Sequence, residues 1–92
     1  MLIVAEDAVA RDVYAELFVM RGYSVVAAAS AREGVTQLRR RRITVAVVAL
    51  ATGATQLRRR LLALRPALKV HVTGVFPMLL ELQPARLRQQ LH

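Results

Sequence analysis

Val45-Ala46-Val47-Val48-Ala49-Leu50 is an uncharged run rich in β-branched residues, with helical spacing before and after it. A run of this kind reads as a central parallel strand, buried on both faces. In open α/β sheets, ligands and chemistry gather at the carboxyl ends of such strands. Here that end carries Ala49, then Ala51, Thr52 and Gly53. None of these offers a carboxylate, a strong metal ligand or a general base. The run predicts a parallel sheet, and it leaves the acidic chemistry out of the place such a sheet provides for it.

The neighbouring segments agree with a parallel sheet. Leu2–Ala5 reads as a first strand, and Val9, Val13, Leu17 and Met20 then recur at helical spacing with Tyr14 and Phe18 beside them. Gly22 is placed to stop that helix. Ser24–Ala29 reads as the second strand. Ser30 followed three residues later by Glu33 is a capping box opening a second helix. Val35 and Leu38 form that helix's apolar stripe, and Arg39–Arg42 suit the negative end of its dipole. Residues 43–50 are the third strand. Thr52-Gly53-Ala54-Thr55 is a turn able to cap a third helix with Leu57, Leu61 and Leu64 inward. Arg65-Pro66 ends that helix, because a residue before proline avoids the helical region. Lys69–Thr73 is a fourth strand. The order β-α-β-α-β-α-β predicts an α/β fold with a doubly wound parallel sheet.

The remainder departs from this rhythm. Only Gly74, Val75, Phe76 and Pro77 separate Thr73 from Met78, too few for a crossover to another parallel strand, which needs about ten or more residues. Met78–Leu82 is therefore an antiparallel edge strand, a short helix with Pro77 at its first position, or a segment that crosses to a second subunit. Pro84 opens a final amphipathic helix over 85–91, with Leu87 and Leu91 inward.

Ninety-two residues make one domain, with a core over 1–74 and an irregular C-terminal part over 75–92. A chain this short is marginally stable unless it associates. Its 55% apolar content implies surplus apolar surface, and hence a partner. The absence of cysteine excludes disulfides and thiolate metal sites. No apolar run approaches the length of a membrane span, and the start lacks the basic, then apolar, pattern of a signal peptide. The expected setting is the cytoplasm of a bacterial-type cell, with no membrane partner. The net charge of +8 is uneven: residues 1–33 hold three arginines against five acids, and residues 34–92 hold ten arginines and Lys69 against Glu81 alone. Such asymmetry reads either as attraction to a polyanion or an acidic protein, or as solvated helix faces.

Taken together, Leu2-Ile3-Val4-Ala5-Glu6-Asp7, the helix running into Arg21-Gly22-Tyr23-Ser24-Val25-Val26, Ala28-Ala29-Ser30 with its helix, and Leu61–Pro66 leading into Val70-His71-Val72-Thr73-Gly74 have a specific order and spacing. The chain resembles a receiver domain of bacterial two-component response regulators, over residues 1–74 and again at Pro84-Ala85-Arg86-Leu87. The resemblance implies a flavodoxin-like sheet, truncated where the family has its fourth helix. It makes Glu6 and Asp7 the counterpart of the acidic pair that helps hold magnesium. It puts Ala49 at the phosphoacceptor position and Thr73 at the hydroxyl that senses the phosphoryl group. The lysine ending the family's fifth strand has no clear counterpart, and Glu81 lies nearest. Alanine cannot accept a phosphoryl group, and one or two carboxylates without a third protein anchor hold magnesium weakly. The expectation is no enzyme activity, no cofactor, no resident metal and no small-molecule substrate.

Each of these residues also has an ordinary reading. Acids at a helix start favour its dipole. Threonine suits any strand end. His71 is a single strand histidine with no second ligand beside it. Arg39, Arg40, Arg41, Arg42, Arg58, Arg59 and Arg60 form solvated helix faces or a polyanion contact, with few aromatic residues to stack on bases. Val75, Phe76, Met78, Leu79, Leu80 and Leu82 either fold back over the sheet or form an interface. The expected role is a phosphorylation-independent pseudo-receiver that presents a fixed surface to a protein partner, as a homodimer through its fourth-strand and C-terminal side. Nucleic-acid or polyanion binding through the arginines is the alternative.

Overall fold

The structure, a computed structural model, describes residues 1–73. The described chain forms β1 (Leu2–Ala5), α1 (Ala8–Met20), β2 (Val26–Ala28), α2 (Ala31–Arg40), β3 (Val45–Ala49), α3 (Ala54–Leu64) and β4 (Lys69–Val72). The expected final helix, the segment Met78–Leu82 and the interface set Val75, Phe76, Met78, Leu79, Leu80 and Leu82 lie outside the described residues.

The protein is an α/β molecule with a four-stranded sheet in the order β2-β1-β3-β4, parallel at every pairing. The register sets Ala5 opposite Ala49 and Val47 opposite His71. Because successive strand side chains point to opposite faces, β1 and β3 serve two cores at once. Leu2, Val4, Ala46 and Val48 pack with Val35 and Leu38 of α2 and Leu57 and Leu61 of α3. Ile3, Ala5, Val47 and Ala49 pack with Ala10, Tyr14 and Phe18 of α1. Two helices thus cover one face of the sheet and one helix the other.

The caps explain where the helices begin and end. The Asp7 carboxylate accepts from the Ala10 N–H at 2.8 Å and starts α1. Gly22, at φ +93°, ends it: its N–H bonds the Val19 carbonyl and the Tyr23 N–H reaches back to that of Phe18. This is the Schellman arrangement that favours glycine. The Ser30 hydroxyl accepts from Glu33 N–H at 3.1 Å, while the Glu33 carboxylate accepts from Ala29 N–H at 3.0 Å. The box at the start of α2 therefore closes one residue earlier than the standard pattern. At its other end, Arg65 Nη2 donates to the Leu38 carbonyl at 3.0 Å, tying the end of α3 to that of α2. Gly34 lets α2 lie close on β1: a Cβ there would sit 2.8 Å from Val4 Cγ2.

Two expectations need correcting. The buried stripe of α1 is Ala10, Tyr14, Leu17 and Phe18, whereas Val9 and Met20 are 71% and 61% exposed. Positions 10, 14, 17 and 18 lie on one face at helical spacing. The alternative set at 9, 13, 17 and 20 follows the same spacing but is rotated from the contact. The strands are also shorter than their apolar runs: β2 covers 26–28 rather than 24–29, and β3 covers 45–49 rather than 43–50. Ile43 and Leu50 are buried all the same, as loop residues that cap the core.

Candidate functional site

At the carboxyl ends of β1 and β3 the structure brings together Glu6, Asp7, Ala49, Leu50 and Thr52. Glu6 and Asp7 are exposed, and the Asp7 carboxylate is engaged as the cap of α1. Arg11, one turn into α1, turns back over the same end: its Nη1 donates to the Ala5 carbonyl at 3.0 Å and more loosely to that of Glu6 at 3.4 Å. A guanidinium thus sits over the backbone carbonyls at the end of β1. Ala49 is 1% exposed and lies in the core beneath α1, beside Ala5 and Ala10. Its methyl group faces packed carbon and not the crevice. A shallow cleft of about 220 Å³ does open here, lined by Glu6, Ala29, Ser30, Ala31, Leu50 and Thr52. The only ionisable side chain in its wall is Glu6. Gly53, at φ +78°, caps α3 without a side-chain hydrogen bond. The turn expected to cap α3 does so, through a glycine in the left-handed region and not through a side chain.

The larger concavity lies elsewhere, about 360 Å³ on the α1 side of the sheet. Val45 and Val47 form its floor, Met1, Phe18 and Tyr23 one wall, and His71, Val72 and Thr73 of the β4 region the other. α1 packs over β1 and β2 and reaches only Val47 and Ala49 of β3, and the trough lies on the β4 side of it. Phe18 and Tyr23 meet edge to face at its rim, with ring centroids 5.7 Å apart. His71 is exposed here, and Thr73 continues the ladder by donating its N–H to the Val48 carbonyl. Among the described residues no group of three His, Asp or Glu is placed to hold a metal ion. Thr73 thus borders the trough on the α1 side and Glu6 the cleft at the end of β1, while Asp7 lines neither of the two.

The sequence reading missed the exposed apolar residues. Val9, Val19, Met20, Tyr23 and Val72 are the large exposed hydrophobics among the described residues. Three lie on α1, one just after it and one on β4; none lies on α2 or α3. The signal was present, because α1 is apolar nearly all round, and a helix of that kind is buried on more than one side or meets a partner.

The arginines occupy the opposite face. Arg39 and Arg40 end α2, Arg41 and Arg42 follow it, and Arg58, Arg59 and Arg60 lie on α3, all exposed. Arg41 Nε donates to Gln37 Oε1 at 3.1 Å.

No protein-family model matches the chain. No curated protein sequence matches it either. No helix among the described residues is long and apolar enough to cross a membrane.

Proposed function

We propose that the protein is a receiver-like module of flavodoxin-like fold that works without phosphorylation, presenting a fixed surface to a protein partner, in the first instance a second copy of itself. The observation that carries this reading is the end of β3. Ala49 offers a buried methyl group where a phosphoacceptor carboxylate would have to emerge, and the neighbouring acidic end of β1 already faces the Arg11 guanidinium. A fixed cation there opposes a divalent ion by like-charge repulsion. The chain has no carboxylate on β3 to take a phosphoryl group, so a phosphorylation switch has no chemical starting point.

The binding role rests on where the apolar surface is left. Among the described strands β4 pairs with β3 alone, so its other edge has no described partner. The trough beside it is floored by valines, and Val19, Met20 and Tyr23 extend the apolar surface along the end of α1. Open edges and contiguous apolar patches are the features through which sheet proteins associate. The tail segment that follows β4 in the sequence is itself apolar at Val75, Phe76, Met78, Leu79, Leu80 and Leu82.

Two measurements test this reading. Size-exclusion chromatography with light scattering should give a dimer mass, and Phe76→Asp or Leu80→Asp a soluble monomer. A wild-type monomer at all concentrations sinks the self-association, and a dimer unaffected by both substitutions moves the interface away from the tail. Treatment with acetyl phosphate and magnesium should add no phosphoryl mass; a stoichiometric adduct would overturn the pseudo-receiver reading.

A further inference from the structure

We propose that the α2–α3 face is a docking surface for the phosphate backbone of a nucleic-acid duplex, distinct from the apolar α1–β4 side. In the chain, charge asymmetry runs along the sequence. The fold turns it into asymmetry across the sheet. α2 and α3 lie side by side on one core, joined by the Arg65 bond to the Leu38 carbonyl. Between Gly34 and Thr73 the chain has eight arginines and one lysine and no acid. On the other face, α1 carries Asp12 and Glu16, both exposed, and begins at Glu6 and Asp7.

Three observations bear on the occupant, and the second of them separates a phosphate polymer from an acidic protein. First, the side chains of Arg39, Arg40, Arg42, Arg58, Arg59 and Arg60 make no hydrogen bond or ion pair with another described residue, so none of their guanidinium donors is engaged within the described chain. Second, none of the large exposed hydrophobics lies on α2 or α3. Protein hot spots are mainly Trp, Tyr and Arg seated in desolvated, well-packed pockets, and among the described residues this face offers its arginines no exposed apolar neighbours to build such a pocket. A duplex needs none, because its affinity comes from release of condensed counterions as phosphates are neutralised. Third, the cations of this face are arginines, whose planar fork bonds phosphate oxygens in pairs, while the one lysine of the described chain lies on β4. Among the described residues the exposed aromatic side chain, Tyr23, is on the far side of the sheet, so the described part of this face offers no platform for stacked bases. The contact is therefore to the backbone and independent of sequence.

The test is fluorescence anisotropy with a labelled DNA duplex of about two turns (~20 bp), using the full chain. With four to six phosphates engaged, affinity should fall about 10²–10³-fold between ~50 and ~200 mM salt. Because any strongly cationic protein is drawn to DNA, two variants of equal charge change decide the matter. Arg58→Gln with Arg59→Gln should lower the salt slope by about 2, while Arg21→Gln with Lys69→Gln should leave it nearly unchanged. Glutamine keeps helix propensity, and unchanged melting would show both variants folded. Equal losses in the two variants would reduce the binding to net-charge attraction and overturn the assignment of this face. So would the absence of binding at the lower salt, or competition by poly-glutamate as effective as that by unlabelled duplex. The failure of this proposal would leave the self-association untouched, because that is read from a mass and not from DNA.

Discussion

Ala49 shows how much one position can decide. Its methyl group is buried beside Ala5 and Ala10 in a cluster whose only polar side-chain group is the Tyr14 hydroxyl, and no charged side chain is buried among the described residues. Ala49→Asp therefore does not restore a receiver. It places a carboxylate against the α1 core, and the expected result is a loss of at least about 2–3 kcal/mol in urea unfolding, with no phosphoryl uptake. A stable variant that takes up phosphate would show that β3 can turn this side chain into the crevice. Tyr14 gives the second residue-scale prediction. Burial holds its hydroxyl proton more tightly than in an exposed tyrosine, raising the pKa. Below the ordinary tyrosine value of about 10, folded and unfolded chains both keep the proton, and the group adds no pH dependence. Above it the unfolded chain releases its proton first, so stability falls as pH rises. Urea midpoints measured from neutral to strongly alkaline pH should show that fall, and Tyr14→Phe should flatten it; an equal fall in the variant would assign it to other groups.

At the scale of elements, the contact between α2 and β1 turns on Gly34. Alanine favours a helix over glycine by about 1 kcal/mol, but a Cβ at this position meets the stiff, buried Val4 side chain at 2.8 Å. Overpacking of this kind costs about 1–3 kcal/mol, so Gly34→Ala should destabilise by about 1–2 kcal/mol, and in a Val4→Ala background the same change should become neutral or stabilising. Additive effects in that cycle would remove Val4 as the cause. The sequence had already made α2 legible, because its capping box, its Val35–Leu38 stripe and its arginine-rich end are local signals. α1 was legible as a helix but not in its rotation: so many of its positions are apolar that two stripes fit the same spacing, and only the sheet selects Ala10, Tyr14, Leu17 and Phe18. The stripe that lost leaves Val9 and Met20 in solvent, so the sequence signalled surplus apolar surface on α1 but not which residues carry it. For the same reason Ala49 could be placed at the end of β3 from sequence, while the burial of its side chain under α1 could not. Val19→Gln with Met20→Gln should leave unfolding within about 0.5 kcal/mol of wild type, since both side chains are exposed, and should weaken the dimer seen by light scattering. An unaltered dimer would exclude the end of α1 from the interface.

Across the whole molecule, the sheet acts as a partition. Surplus apolar surface gathers on the α1–β4 side and surplus positive charge on the α2–α3 side, so the two proposed activities respond to salt in opposite directions. A chain with a net charge of +8 repels its own copy, and that repulsion opposes dimer formation at low ionic strength. Salt at about 0.15 M shortens the Debye length to about 8 Å and screens it, while leaving apolar contacts intact. The dimer fraction should therefore rise from low to moderate salt and persist at high salt, over the range in which duplex affinity collapses. Dimerisation also couples to stability, because a partner that binds only the folded chain raises the melting temperature with protein concentration. Melting curves at about 5 and 100 µM, each at low and moderate salt, should separate more widely at the moderate salt. If association is instead driven by opposite charges, the acidic α1 side of one copy meeting the arginines of the next, the separation should shrink as salt is added. That outcome would replace a closed apolar dimer with a head-to-tail contact between the two faces that the sheet keeps apart.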